Sequence, residues 1–527
     1  MINIQHFKQV IFSKDSEQII KEAKEVYKYL LFKDNRVDLY NEIFSTLDYS
    51  LILEIPILYI LYCKLLKYNK KISKLEYVLN DINKLDLSNQ SESEKLFFES
   101  NILLCESYLY KNKKNCVEFS LEKLYKSLEK TETNDYILLF EIYYELGSIY
   151  LSLFRISDSL LYFKKSKYYI LDEYITANII ILRLKLNISN ALLMKNKLSD
   201  YSQELKKIEL FIQKSDLDQS YLIFYYDSLI SLFFYKNNKK LLIDTSNKAI
   251  LLFDQCLNLS SFMPYIRISI YLILMNELEQ SKILISKIEE KFKLLEPPPK
   301  IRFFLYALNI IFYYKTNNIN MSKIWVDELG KLFELNYENE YSIAIFYANF
   351  LLENNNITKA EEINFSISDF ISSSDSDILK LQLDLLNIVI EYKKGYKNKA
   401  ILNLKEKLFL AQKEWNVGIF LNSNTILLNM INEIYNESLN KKNILDSNFL
   451  KEIISYSNEK FDFNNYLTEK EIEVLKLVEQ KNSNKEIANI LFLSVNTIKT
   501  HLKNITKKLN VNTKKNAVIK AKEFLLI

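Results

Sequence analysis

Leu467 to Ala521 reads LTEKEIEVLKLVEQKNSNKEIANILFLSVNTIKTHLKNITKKLNVNTKKNAVIKA. Four helix starts can be read from its side chains. Thr468 with Glu471, and Ser483 with Glu486, have the spacing of capping boxes, in which hydroxyl and carboxylate each satisfy an amide orphaned at a helix N-terminus. Ser494 and Thr513 are single N-cap candidates. The turns between these helices are short, at Asn482 and at Phe492-Leu493. Four short helices with a tight turn between the second and third predict a helix-turn-helix.

The third helix, about Val495 to Leu509, has two faces. Ile498, Leu502, Ile505 and Leu509 recur at helical spacing and form the expected buried stripe. Asn496, Lys499, Thr500, Lys503 and Lys507 fall on the other side. Cationic and hydroxyl groups on an exposed helix suit a major groove: Lys donates to guanine O6 and N7, and Thr touches a thymine methyl or a phosphate. The start of this helix at Ser494 also presents free amides to a phosphate.

At this point a resemblance becomes specific. The segment resembles the LuxR (GerE) family of bacterial helix-turn-helix regulators. The matching residues are Leu467-Thr468, Glu471, Glu473-Val474-Leu475, Ser483-Asn484-Lys485-Glu486-Ile487-Ala488, Leu491, Ser494, Thr497-Ile498-Lys499, His501, Ile505, Lys508-Leu509, Val511 and Ala517-Val518. The resemblance implies double-stranded DNA as partner, with the third helix in the major groove. Carried over by position, Lys499, Thr500 and Lys503 face bases or phosphates, and Lys507 and Lys514 contact the backbone. Ser494, Asn496 and Thr497 at the helix start complete the DNA-binding set. The family's fourth helix often pairs two protomers, which here would use Val518, Ala521, Phe524 and Leu525; the alternative for those four is the module's own core. RNA polymerase is a further partner that the resemblance allows. Two residues depart from the family pattern. Asn482 stands where Gly is usual, and Asn tolerates a left-handed backbone. Lys514 stands near a usual Arg, keeping the charge but losing the bidentate fork. His501, one of two histidines in the chain, reads as a structural or phosphate-donating residue, with no second ligand nearby for a metal.

Charge supports a polyanion partner for this module. Tyr466 to Ile527 holds twelve lysines against six glutamates, and no acidic residue occurs from Ile487 to Lys522. The whole 527-residue chain carries only +4, so the body before Tyr466 is nearly neutral. A basic module on a neutral body marks a local electrostatic footprint.

Four Gly and five Pro in 527 residues exclude folds that consume glycine in turns and phosphate loops. The expectation is helices joined by Asn- and Lys-rich turns. Cys63, Cys105, Cys116 and Cys256 form no C-x-x-C pair and read as buried small hydrophobes of a reducing compartment. Met1-Ile2-Asn3-Ile4 does not open a signal peptide, and no apolar run reaches the roughly 18 residues a bilayer needs. The chain is expected to be cytoplasmic, with no membrane partner and no cofactor.

Residues 1–455 read as an α-solenoid. Tyr144 to Tyr169 is the clearest unit: Leu146-Gly147, Tyr150, a turn at Phe154-Arg155, then Ile156, Ser159, Phe163 and Ser166. It resembles the tetratricopeptide repeat, as do the units around Ala348, Asn354-Asn355-Asn356, Ile357 and Ala360, and around Lys394-Gly395, Tyr396 and Ala400. The apolar residue after each turn supplies a ruler: Val37, Ile72, Cys116, Ile156, Leu198, Leu241, Leu278, Ile319, Ile357 and Tyr396, spaced by 35 to 44 residues. The fold expected is therefore all-α: a right-handed α-solenoid of degenerate tetratricopeptide-like helix pairs over 1–455, a linker over 456–465, and the four-helix module over 466–527. Glu296-Pro297-Pro298-Pro299 interrupts the array as a stiff connector.

The function expected is a sequence-specific DNA-binding transcription regulator under control of a helical-repeat sensor. A peptide, a protein or a small molecule could be the effector held by the solenoid. No G-x-x-x-x-G-K-[ST] is present, and the N-terminal region has neither the strand-helix alternation of a receiver domain nor a mixed α/β lactone-binding pattern. With two histidines, scattered cysteines and no glycine loop, there is no triad, metal cluster or nucleotide cradle, so an enzyme is not expected. The alternative is an interaction scaffold whose terminal helices dock a protein; the acid-free third and fourth helices argue against it.

Overall fold

Asparagine does in this chain much of what glycine does elsewhere. The computed structural model describes all residues except 1–3, 14, 31–42, 112, 114–115, 171–178, 216, 254–261, 296–298, 317–320, 322–323, 326–340, 422–424, 439–444, 461–468, 481, 509–510, 512 and 524–527. Helix after helix ends on a left-handed residue: Lys70 (φ 56°), Phe154 (55°), Asn196 (51°), Asn237 (53°), Asn276 (60°), Asn355 (60°) and Gly395 (95°). Each lies two residues before the next helix, at Ile72, Ile156, Leu198, Lys239, Leu278, Ile357 and Lys397. The amide after each left-handed residue reaches back to close the turn, as in Lys71 to Leu66 O (2.9 Å), Arg155 to Tyr150 O (2.9 Å), Lys197 to Leu192 O (3.0 Å) and Glu277 to Leu272 O (2.8 Å). Asn is favoured at this site because its short polar side chain bonds locally. That is how so many helices are joined with so little glycine.

The described residues are helical with no strand. Ile72, Ile156, Leu198, Leu278 and Ile357 are first residues of helices, and Cys116 and Tyr396 are N-caps. Leu241 differs: its helix begins at Lys239, so Leu242 is buried and Leu241 is 43% exposed. Val37 and Ile319 lie outside the described residues. So do Glu296-Pro297-Pro298, and the next helix, Pro299–Lys315, opens on the remaining proline, where no amide partner is lost.

Contacts divide the chain into two compact units, Met1–Tyr221 with Ser372–Ile378, and Leu222–Ile371 with Leu379–Ile527. In the first, helices pack chiefly against their sequence neighbours: Glu92–Lys111 on Val117–Lys130, and Tyr136–Ser152 on Ile156–Tyr168. Small residues allow these approaches. Ser159 Oγ donates to Gly147 O (2.8 Å), and a Cβ on Gly147 would stand 2.6 Å from the Phe163 ring. Ser120 Oγ donates to Ser107 O (2.8 Å) in the preceding pair. Asp375, far along the chain, supplies the cap that the Ile156–Tyr168 helix lacks locally: its carboxylate accepts from the Ile156 and Ser157 amides, and Lys195 lies 3.3 Å away.

A buried charge network also crosses this unit. Lys64 and Lys67, on helix Pro56–Tyr68, are 2% and 4% exposed. Lys64 and Tyr68 donate to Glu141, and Lys67 reaches Glu141 (3.4 Å) and Glu145 (3.2 Å). Lys111 closes the far end on Glu145 (3.0 Å). Burial would raise the Glu145 carboxyl, but Lys111 and Lys67 outweigh it and hold it at about 2. Cys63 and Cys105 are buried in the same unit, where burial pushes the Cys105 thiol up to about 12. Cys116 is only half-buried, and Cys256 lies outside the described residues.

In the second unit, helices Leu222–Tyr235 and Lys239–Leu251 pair, as do Phe262–Leu274 and Leu278–Leu295. Residues distant in sequence close onto the first pair. Gly418 lies so near the 234–235 backbone that a Cβ there would stand 2.5 Å from Phe234 O. Asn237 and Trp415 both donate to Glu452, at 3.2 and 2.8 Å. Helix Ser447–Lys460 covers the first residues of the expected linker. No helix among the described residues is long and apolar enough to cross a membrane.

Candidate nucleic-acid interface

Four helices, Glu469–Glu479, Asn484–Ile490, Val495–Lys508 and Lys514–Glu523, surround a core of their own. Val474, Leu475, Ile487, Ala488, Ile498, Leu502, Ile505 and Ala517 are its buried members. Local chemistry sets each start. Ser483 and Glu486 form the expected capping box, which also holds the Glu486 carboxyl below its usual range through the Ser483 amide and hydroxyl. The Thr497 amide donates to Ser494 Oγ (3.0 Å), and the Asn516 amide to Thr513 Oγ1 (3.1 Å). Thr468, expected to cap the first helix, lies outside the described residues. Asn482 ends that helix through two bonds to Leu477 O, from its amide (3.2 Å) and its side chain (3.1 Å).

The turn between second and third helices repeats the device of the body. Phe492 is left-handed (φ 54°), and the Leu493 amide donates to Ala488 O (2.9 Å). Phe492 is also 95% exposed. The sequence reading placed this turn but not its backbone geometry, because a bulky residue is not the usual occupant of a left-handed site.

The third helix presents the two faces expected. Ile498 and Ile505 are fully buried and Leu502 is 8% exposed, while Asn496, Lys499, Thr500 and Lys503 are exposed. Leu509 lies outside the described residues. No ion pair engages Lys499, Lys503 or Lys514 among the described residues, so their charges are available to an external anion. The Thr500 hydroxyl donates to Asn496 O (3.0 Å), which occupies its proton but not its oxygen's acceptor capacity. Ser494 and Thr497 are engaged with each other (Oγ to Oγ1 2.8 Å), and Thr497 is half-buried. Both hydroxyls are thus occupied at the helix start, where Ser494 also caps the Thr497 amide. Lys507 lies on this helix, and Lys514, exposed, begins the next beside exposed Lys515, which the sequence reading did not single out. Of the expected pairing residues, Val518 packs partly against the module's own core. Ala521 lies on the fourth helix, and Phe524 and Leu525 lie outside the described residues.

Residues 465–521 match GerE, the bacterial regulatory proteins of the luxR family. Among similar proteins are the response regulator protein VraR of Staphylococcus saprophyticus, 32% identical over 97 residues (18% of this chain, 46% of the relative). The transcriptional regulatory protein LiaR of Bacillus subtilis is 42% identical over 55 residues (10% and 26%). VraR of Staphylococcus aureus is 44% identical over 61 residues (12% and 29%). The chain thus spans less than half the length of each of these relatives.

Proposed function

Since residues 465–521 form a LuxR-type helix-turn-helix domain, we propose that the chain is a cytoplasmic, sequence-specific DNA-binding transcription regulator and not an enzyme. The third helix lies in the major groove of double-stranded DNA, with Lys499, Thr500 and Lys503 at base edges or phosphates. Ser494, Asn496 and Thr497 shape the phosphate-facing helix start, and Lys507 and Lys514 hold the backbone. One observation carries this reading: the exposed face of Val495–Lys508 bears Lys499 and Lys503, which no ion pair engages among the described residues, opposite the buried Ile498, Leu502 and Ile505. The helical body is the sensor or interaction part, read as a repeat array. Its neighbour-on-neighbour helix packing and recurrent left-handed turns support that reading. A homodimer through the fourth helix would rest on Val518, Ala521, Phe524 and Leu525, with Val518 shared with the module's own core.

The test is titration of the full chain with duplex DNA at several salt concentrations. Affinity should fall linearly on a log-log plot as counterions are released. Lys499→Ala and Lys503→Ala should each weaken binding to the best site by about 1–3 kcal/mol if they read bases. An unchanged affinity for the double variant would refute the assigned face.

A further inference from the structure

The first unit contains a cavity of about 610 Å³ that the DNA-binding role does not use. The volume falls in the range of small-molecule sites. Four chain segments wall it: helix Ser16–Leu30, Ile57 of helix Pro56–Tyr68, helix Glu92–Lys111, and the turn leading into helix Tyr136–Ser152. They are tied to one another. Lys24 pairs with Glu94 (3.3 Å), and Ser93 Oγ donates to Glu132. At the floor, the Tyr27 hydroxyl donates to Asn101 (3.2 Å), and its ring meets Phe97 edge-on at 5.1 Å. The Lys64 ammonium lies 4.5 Å from the same ring, held from behind by Glu141. The buried charge network thus props the floor, and the cavity is preformed.

Its lining has a definite chemistry. Tyr27, Phe97, Tyr136, Ile57 and Ile137 supply an apolar wall. Glu25, Glu94, Glu132 and Asp135 outnumber Lys21 and Lys24 in the lining, and Lys24 is paired with Glu94. Asp135 is the best placed of these carboxylates. One oxygen accepts the Leu138 amide (3.0 Å) as the helix N-cap, which fixes the carboxylate at the cavity edge beside Tyr136. Burial pushes its carboxyl up despite that bond, so a cation reaching it would replace lost hydration.

We infer that this cavity binds a ligand bearing an ammonium group on an apolar body, with the ammonium on Asp135 and the body on Tyr136, Phe97 and Tyr27. The ammonium could belong to a small amine or to a peptide amino terminus. The binding does not depend on the sensor role proposed above and is measured without DNA.

Calorimetry on the full chain tests it with four probes: phenethylamine, its neutral counterpart 2-phenylethanol, phenylalanyl-leucinamide, and the same dipeptide N-acetylated. At least one free amine should bind, and its neutral counterpart should bind on the order of tenfold or more weaker, as expected for loss of a charge-assisted hydrogen bond. Phenethylamine alone binding assigns a small amine; the dipeptide alone assigns a peptide terminus. Asp135→Asn keeps an oxygen for the Leu138 amide and should cost a similar factor, while Lys499→Ala should leave amine binding unchanged. The proposal is overturned if neither amine binds at millimolar concentration or if charged and neutral probes bind equally. It is equally overturned if a folded Asp135→Asn protein keeps the parent affinity. The probe comparison needs no variant, so it stands even if Asp135→Asn does not fold.

Discussion

Phe492 concentrates the conflict between backbone and side chain in this protein. Its φ of 54° lies in the region that costs a bulky L-residue about 1–2 kcal/mol, and its ring gains little from burial, being 95% exposed. Asn, which occupies four of the body's equivalent turns, removes most of that strain. Phe492→Asn should therefore raise the stability of a 461–527 fragment by about 1 kcal/mol, seen as a higher urea midpoint at unchanged slope. A lower midpoint would mean that the ring has a packing role that the observed exposure denies.

At the scale of the element, the third helix of the module and the buried network of the first unit behave oppositely toward charge. Ile498 sits at zero exposure in a core of eight buried side chains. An Asp there has no partner, so Ile498→Asp should abolish the module's cooperative unfolding transition and its helical circular dichroism signal, and DNA binding with them. In the network, by contrast, charge is already buried and paired. Glu141→Ala leaves Lys64 stranded and should cost about 3–5 kcal/mol, whereas Lys64→Met with Glu141→Leu together should cost far less. The pH dependence has a defined sign. Glu145, held at about 2, and Glu141, also depressed, contribute stability that is present above the ordinary carboxylate value and is lost as pH falls through their folded values. Burial would lower the Lys67 ammonium, but Glu145 and Glu141 raise it, so its contribution is lost only on the alkaline side. Acid unfolding of Glu145→Gln should accordingly show a shallower loss of stability between about pH 4.5 and 2 than the parent.

At the scale of whole units, closure depends on close approach between residues far apart in sequence. Gly418 admits the 234–235 backbone, and Glu452 gathers Asn237 and Trp415. An added methyl at 418 meets backbone atoms that cannot rotate away. Gly418→Ala should destabilise the second unit by about 1–3 kcal/mol, read as earlier thermal unfolding of the full chain. Gly147→Ala meets the Phe163 ring, fully buried and packed against Tyr144. It should destabilise the first unit by a similar amount, and an unchanged thermal transition would contradict the contacts described.

The sequence alone determined what is encoded by neighbours along the chain. The Ser483–Glu486 box, the Ser494 and Thr513 caps, the stripe of Ile498, Leu502 and Ile505, and most of the helix starts marked by the apolar ruler are local, since capping and helical periodicity act over three or four residues. The exposure of Lys499 and Lys503 was legible for the same reason. Only the tertiary structure decided that Asp375 caps the Ile156–Tyr168 helix, that Gly418 touches the Phe234 backbone, and that Asp135, Tyr27 and Phe97 meet around one cavity. Those groups lie tens to hundreds of residues apart, and no periodicity or spacing records which distant surfaces will be buried together.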